Sequence, residues 1–101
     1  MKKITTYRNN DIKRVIAFIP PGHRHVRLLI ETDDCIMIFQ EATVSAIIRA
    51  YVNVALHPLN KAVELTLREL KDRKEGFAKY QQIESEKSEG EVINEVMNIL
   101  G

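Results

Sequence analysis

The sequence is short of the residues that build covalent or metal-bound frameworks. Its 101 residues include one cysteine, Cys35, no tryptophan, four glycines and three prolines. A single cysteine closes no internal disulfide and cannot supply the paired thiolates of a structural zinc site. No run of about 18 apolar residues occurs, so no segment reads as a membrane-spanning helix. The basic start Met1-Lys2-Lys3 runs into Ile4-Thr5-Thr6-Tyr7-Arg8-Asn9 instead of an apolar stretch, which argues against a secretory signal and for a cytoplasmic protein. A phosphate loop is also missing. Pro20-Pro21-Gly22 lacks the amide donors such a loop needs, and no Lys-Ser or Lys-Thr follows it. What is present is average for a globular domain, with 45% hydrophobic and 29% charged residues. The length is that of one domain, which excludes an enzyme with separate cofactor and substrate domains.

The formal net charge of +1 hides a polarity. Residues 1–30 carry seven cationic side chains (Lys2, Lys3, Arg8, Lys13, Arg14, Arg24 and Arg27) against Asp11 alone, a net of +6, and the rest of the chain is net −5. Such an asymmetry suits contact with a polyanion or an acidic partner through one end of the chain. It also suits a plain solvated basic face.

Short apolar periods organise the chain. Lys3–Tyr7 has the β-branched and aromatic character of a short edge strand. After the cap-forming residues Asn9-Asn10-Asp11, the spacing of Ile12, Val15, Ile16 and Ile19 predicts a helix of about two turns, stopped by Pro20-Pro21-Gly22. His25–Thr32 and Cys35–Phe39 read as two strands of an antiparallel hairpin turning at Asp33-Asp34. Thr43 is the expected N-cap of a helix whose Val44, Ile47, Ile48, Tyr51, Val52 and Ala55 lie on the sheet. A flatter stripe of Ala46, Ala50 and Val54 could receive another helix. His57-Pro58 interrupts that helix.

Four segments are therefore expected: an α+β core over 1–58, a long amphipathic helix over 59–83, a polar linker over 84–91 and a short amphipathic helix over 92–101. The long helix rests on the stripe Leu59, Val63, Leu67, Leu70 and Phe77, and on the i, i+4 pairs Glu64/Arg68, Glu69/Arg73 and Glu75/Lys79. The predicted fold class is α+β, with a small three-stranded antiparallel sheet in β-α-β-β-α order, helices on one face and a C-terminal helical extension. A helix as short as 92–101 needs a surface to dock on. Self-association, as a dimer or higher oligomer, is expected through the apolar helical segments after Pro58, which also suit a free-standing homo-oligomer with helical subunit interfaces.

Chemistry-bearing residues are few. His23 and His25 fall on one side of a strand, and Cys35 lies across the hairpin. They read either as a metal site without a fourth ligand or as an exposed strand start. Cys35 begins an apolar strand, where a small buried thiol is the ordinary reading. Asp33 and Asp34 serve the turn. No enzyme motif, cofactor site or metal site is expected. Lys2, Lys3, Arg8, Arg24 and Arg27 are the candidate nucleic-acid contacts.

The run Phe39-Gln40-Glu41-Ala42 into a helix, followed by Arg49-Ala50, Asn53 and Leu56, resembles the Pcc family, the small dimerising subunit of the KEOPS complex. The turn Ile19-Pro20-Pro21-Gly22 is comparable with the Pro-containing turn that ends that family's first helix. The resemblance covers residues 2–57; Pro58 and the residues after it depart from it. It implies a non-catalytic, homodimeric subunit supporting a kinase-like and an ATPase-like partner in making threonylcarbamoyl-adenosine on tRNA. Glu41, Arg49, Asn53 and Leu56 would then be partner-binding residues. Read on their own, Glu41 can accept from helix amides at the strand end, and Arg49 and Asn53 can equally face solvent.

Overall fold

The computed structural model describes residues 2–72 and 79–101. The chain is α+β and divides into two compact units, residues 1–41 and 42–101. The first unit holds β1 (Arg14–Phe18), β2 (Arg27–Glu31) and β3 (Ile36–Gln40) in one antiparallel sheet of order β1-β2-β3. The second holds most of α1 (Glu41–Ala55), the hairpin β4 (Leu65–Glu69) and β5 (Tyr80–Glu84), and α2 (Glu89–Leu100).

Residues 12–19 are the first correction, because they form β1 and not a helix. The i, i+3, i+4, i+7 spacing is there, but so is a period of two, with Arg14, Ile16 and Phe18 alternating with Val15 and Ala17. Three of the four residues that suggested the helix are β-branched isoleucines, and the fourth is valine; such side chains lose rotamer freedom in a helix and pack well on a pleated sheet. Pairing decides the matter: Val15 faces Ile30, Ile16 faces Leu29, and Arg14 faces Glu31. Across that last pair, Arg14 Nε donates to Glu31 Oε1 at 2.5 Å. The capping residues Asn9–Asp11 close only a single 3-10 turn, in which the Asp11 carboxylate accepts from the Arg8 N–H at 2.8 Å. Residues 3–7 belong to neither a strand nor a helix. The order is thus β-β-β-α-β-β-α.

Pro20-Pro21-Gly22-His23 is a turn with the His23 N–H donating to the Pro20 carbonyl at 3.0 Å. Proline at its second position and Gly22 at φ +80° at its third are the residues a type II turn demands. The hairpin β2–β3 is as expected. Thr32 N–H donates to the Cys35 carbonyl at 2.9 Å. The Thr32 hydroxyl, in a side chain only 6% exposed, accepts from the Cys35 N–H at 3.1 Å and donates to Asp34 at 3.0 Å. Cys35 itself is exposed, against the expectation of a buried thiol.

The second unit corrects the helix expected over 59–83. Leu65–Glu69 and Tyr80–Glu84 pair as a hairpin, extended at one end by Leu70 N–H to the Lys79 carbonyl and at the other by Ser85 N–H to the Glu64 carbonyl. Val63, Leu65 and Leu67 alternate with Glu64, Thr66 and Arg68, a period of two that competes with the helical spacing. Arg73, Glu75 and Phe77, part of the helical reading, lie outside the described residues. Helix α2 begins earlier than expected. Ser88 caps it, accepting from the Glu91 N–H while Glu91 accepts from the Ser88 N–H, a capping box.

Helix α1 starts at Glu41 rather than after Thr43, and its buried side is not the expected one. Ala46 is buried and Ala50 and Val54 are half-buried, whereas Ile47, Ile48, Tyr51 and Val52 are exposed. The small-residue stripe is the inner one. Beyond Ala55 the chain folds back: His57 Nδ1 accepts from the N–H groups of Leu59 and Asn60, and the Asn60 amide donates to Asn53 Oδ1.

Candidate interaction surface

Apolar side chains lie on both faces of the three-stranded sheet. Directly paired residues share a face, so Ile16, Leu29 and Ile38 line up on one side with Phe18 and Ile36. Val15, Ala17, Leu28, Ile30, Met37 and Phe39 occupy the other. Burial within the unit is incomplete: Ile36 and Ile38 are each 57% exposed and Val15 is 58% exposed.

The two edges of this sheet differ. At β1, Arg14 is paired with Glu31, and the adjoining Lys13 lies 3.3 Å from Asp33, so charged side chains guard that edge. At β3 the sequence Ile36-Met37-Ile38-Phe39-Gln40 has no charge, proline or glycine. Among the described strands it alone is uncharged.

In the second unit, Ala50, Val54, Val63, Val92 and Val96 are among the side chains lining an apolar groove of about 560 Å³. Lys61, at its margin, is the one ionisable residue that lines it besides Tyr51, and the Lys61 N–H is held by the Glu89 carboxylate at 3.0 Å. On another face of this unit, Lys87 Nζ reaches Glu95 at 2.6 Å and Glu64 at 3.2 Å. Those two hydrogen bonds hold its pKa above the ordinary value. Glu91 is held below its ordinary value because it accepts from the backbone N–H and hydroxyl of Ser88.

Most of the residues singled out from sequence are engaged within their own chain. His25 Nδ1 and Glu41 Oε2 lie 2.5 Å apart, so Glu41 ties the start of α1 to the segment before β2. Arg49 donates to the Gln82 carbonyl at 3.1 Å, linking α1 to β5. Asn53 is taken by Asn60. Leu56 is different, standing 75% exposed. Of the basic candidates, Arg8 pairs with Asp11 at 3.5 Å. Lys2, Lys3 and Arg24 are exposed, Arg27 is half-buried on β2, and none of these four makes an ion pair among the described residues. The continuous apolar run Cys35–Phe39 suits a central strand, whereas the sheet order places β3 at an edge, where its lack of charge leaves that edge unguarded. Comparison of the chain with family models, curated proteins and solved structures finds no match. None of its helices, among the described residues, is long and apolar enough to cross a membrane.

Proposed function

We propose that the protein is a non-catalytic assembly module that works as a homo-oligomer, a dimer in its simplest form, with a second copy covering apolar surface that each chain leaves open. The observation that carries this reading is the exposed surface itself. Among the described residues only Ala46 and Val92 are buried apolar side chains, whereas Val15, Ile36, Ile38, Tyr51, Leu56 and Leu67 are each more than half exposed. Apolar exposure on this scale marks an interaction surface.

A narrower form of the reading makes the assembly a subunit of a tRNA threonylcarbamoyl-adenosine machine. An ATPase-like partner would bind at Glu41, Arg49, Asn53 and Leu56, and tRNA at Lys2, Lys3, Arg8, Arg24 and Arg27. Exposed Leu56 favours it; the engagement of Glu41, Arg49 and Asn53 within their own chain does not, and neither does a strand where the family's first helix would stand. The broader reading is the one that the geometry supports best.

Dilution tests it. An apolar-surface dye should bind weakly per chain at roughly tens of micromolar and more strongly as the assembly dissociates at submicromolar concentration. Binding per chain that stays constant across the series overturns the reading.

A further inference from the structure

We infer that the partner surface is the outer edge of β3, which pairs antiparallel with β3 of a second copy to give one six-stranded sheet. The inference rests on the assembly reading above and names its interface. Orientation follows from the hairpin. The Thr32 N–H to Cys35 carbonyl bond fixes the Cys35 backbone toward β2. Alternation along an antiparallel ladder then turns Met37 and Phe39 toward β2 and leaves the N–H and C=O groups of Ile36, Ile38 and Gln40 on the outside.

A two-fold axis at Ile38 matches this set to itself. Ile38 meets Ile38 of the partner copy with a hydrogen bond each way, and each Gln40 N–H meets an Ile36 carbonyl, so four backbone bonds form even with the Gln40 carbonyl given to the first turn of α1. Met37 then opposes Phe39, and no like charges face one another. The exposed Ile36 and Ile38 of both copies come together on one face of the joined sheet, where each removes the other from water.

Closure selects β3 against itself over other edges. Pairing β3 with a β1 edge would leave one free edge of each kind and propagate without limit. Pairing β3 with β3 closes the assembly and places the charge-guarded β1 strands outermost. The hairpin strands suit the role less, since β4 carries Arg68 and Glu69 and β5 carries Glu84.

The test is oxidative cross-linking of the full chain carrying Cys35→Ser and Ile38→Cys, with Ala17→Cys on β1 as control. Residues opposed in a hydrogen-bonded pair have Cα atoms about 5.5 Å apart, within the disulfide range. Covalent dimer should dominate for Ile38→Cys and be at least tenfold scarcer for Ala17→Cys. Ile38→Lys, with its fold checked by circular dichroism, should sediment at single-chain mass, and Ile38→Thr should dimerise more weakly than wild type. A wild-type protein of multiple mass that neither cross-links at position 38 nor responds to Ile38→Lys overturns the β3 edge and leaves the assembly reading standing. A wild-type protein of single-chain mass overturns both.

Discussion

Thr32→Val should destabilise the first unit by about 1–2 kcal/mol, because it leaves a donor without its acceptor while keeping the side chain's shape. Thr32 is nearly enclosed, and its hydroxyl takes the Cys35 N–H at 3.1 Å while giving its proton to Asp34. Valine preserves the branched packing but can do neither. Leaving a part-buried amide unsatisfied costs roughly 1–3 kcal/mol, and some of that returns if water reaches the turn. For a domain of this size each kcal/mol lowers Tm by roughly 4–8 °C, which calorimetry resolves easily. Asp33→Asn is the control at the same turn. Its ion pair with Lys13 is exposed, so its removal should stay within about 0.5 kcal/mol. Hydrogen exchange gives a local readout, with the Cys35 amide exchanging faster in Thr32→Val alone. A Thr32→Val protein as stable as wild type, with Cys35 still protected, would refute the reasoning. The consequence reaches the interface, since this turn sets which backbone groups of β3 face outward.

Other outcomes follow from the second unit. Ser88→Ala removes the hydroxyl half of the α2 capping box, keeps the backbone N–H that donates to Glu91, and should cost about 1 kcal/mol in denaturant unfolding. Glu91, depressed in the folded state, adds stability that is complete above its ordinary value of 4.5 and is lost as pH falls through the folded value; this acid dependence should shrink in Ser88→Ala when the Glu91 carboxyl is followed by NMR. Lys87 is raised, so its pairing with Glu95 and Glu64 contributes below its ordinary value of 10.5 and fades as pH climbs through the folded value; the Tm difference between wild type and Lys87→Met should vanish at strongly alkaline pH. Native gels at roughly 50 mM salt should show no retention of tRNA; retention that falls steeply with salt and is lost in Arg24→Ala/Arg27→Ala would make the basic third a nucleic-acid face.

Local chemistry was legible where one signal stood alone. Asp33-Asp34 between two apolar runs gave the β2–β3 hairpin, and Pro58 marked the end of α1 within a few residues. Where two periods coexisted, the sequence did not choose. Residues 12–19 fit a helix by spacing and a strand by β-branching, and only pairing with β2 separates them. Residues 63–68 show the same conflict, and charge pairs at i, i+4 are too weak, at roughly 0.2–0.5 kcal/mol each, to outweigh a paired strand. Ser88-Glu89-Gly90-Glu91 has the capping-box spacing but sits inside 84–91, whose composition reads as a polar linker. Of the site, Leu56 is reached only through the family resemblance, since no local pattern marks it as exposed. The engagement of Glu41 by His25 and of Arg49 by the Gln82 carbonyl depends on contacts 16 and 33 residues away, which no local pattern encodes.

Sedimentation equilibrium of the untagged 101-residue chain at roughly tens of micromolar bears most directly on the assembly itself. Burial of the exposed apolar surface by a second copy predicts a particle of twice 11.6 kDa that dissociates on dilution. A single species of 11.6 kDa across the whole range would contradict it.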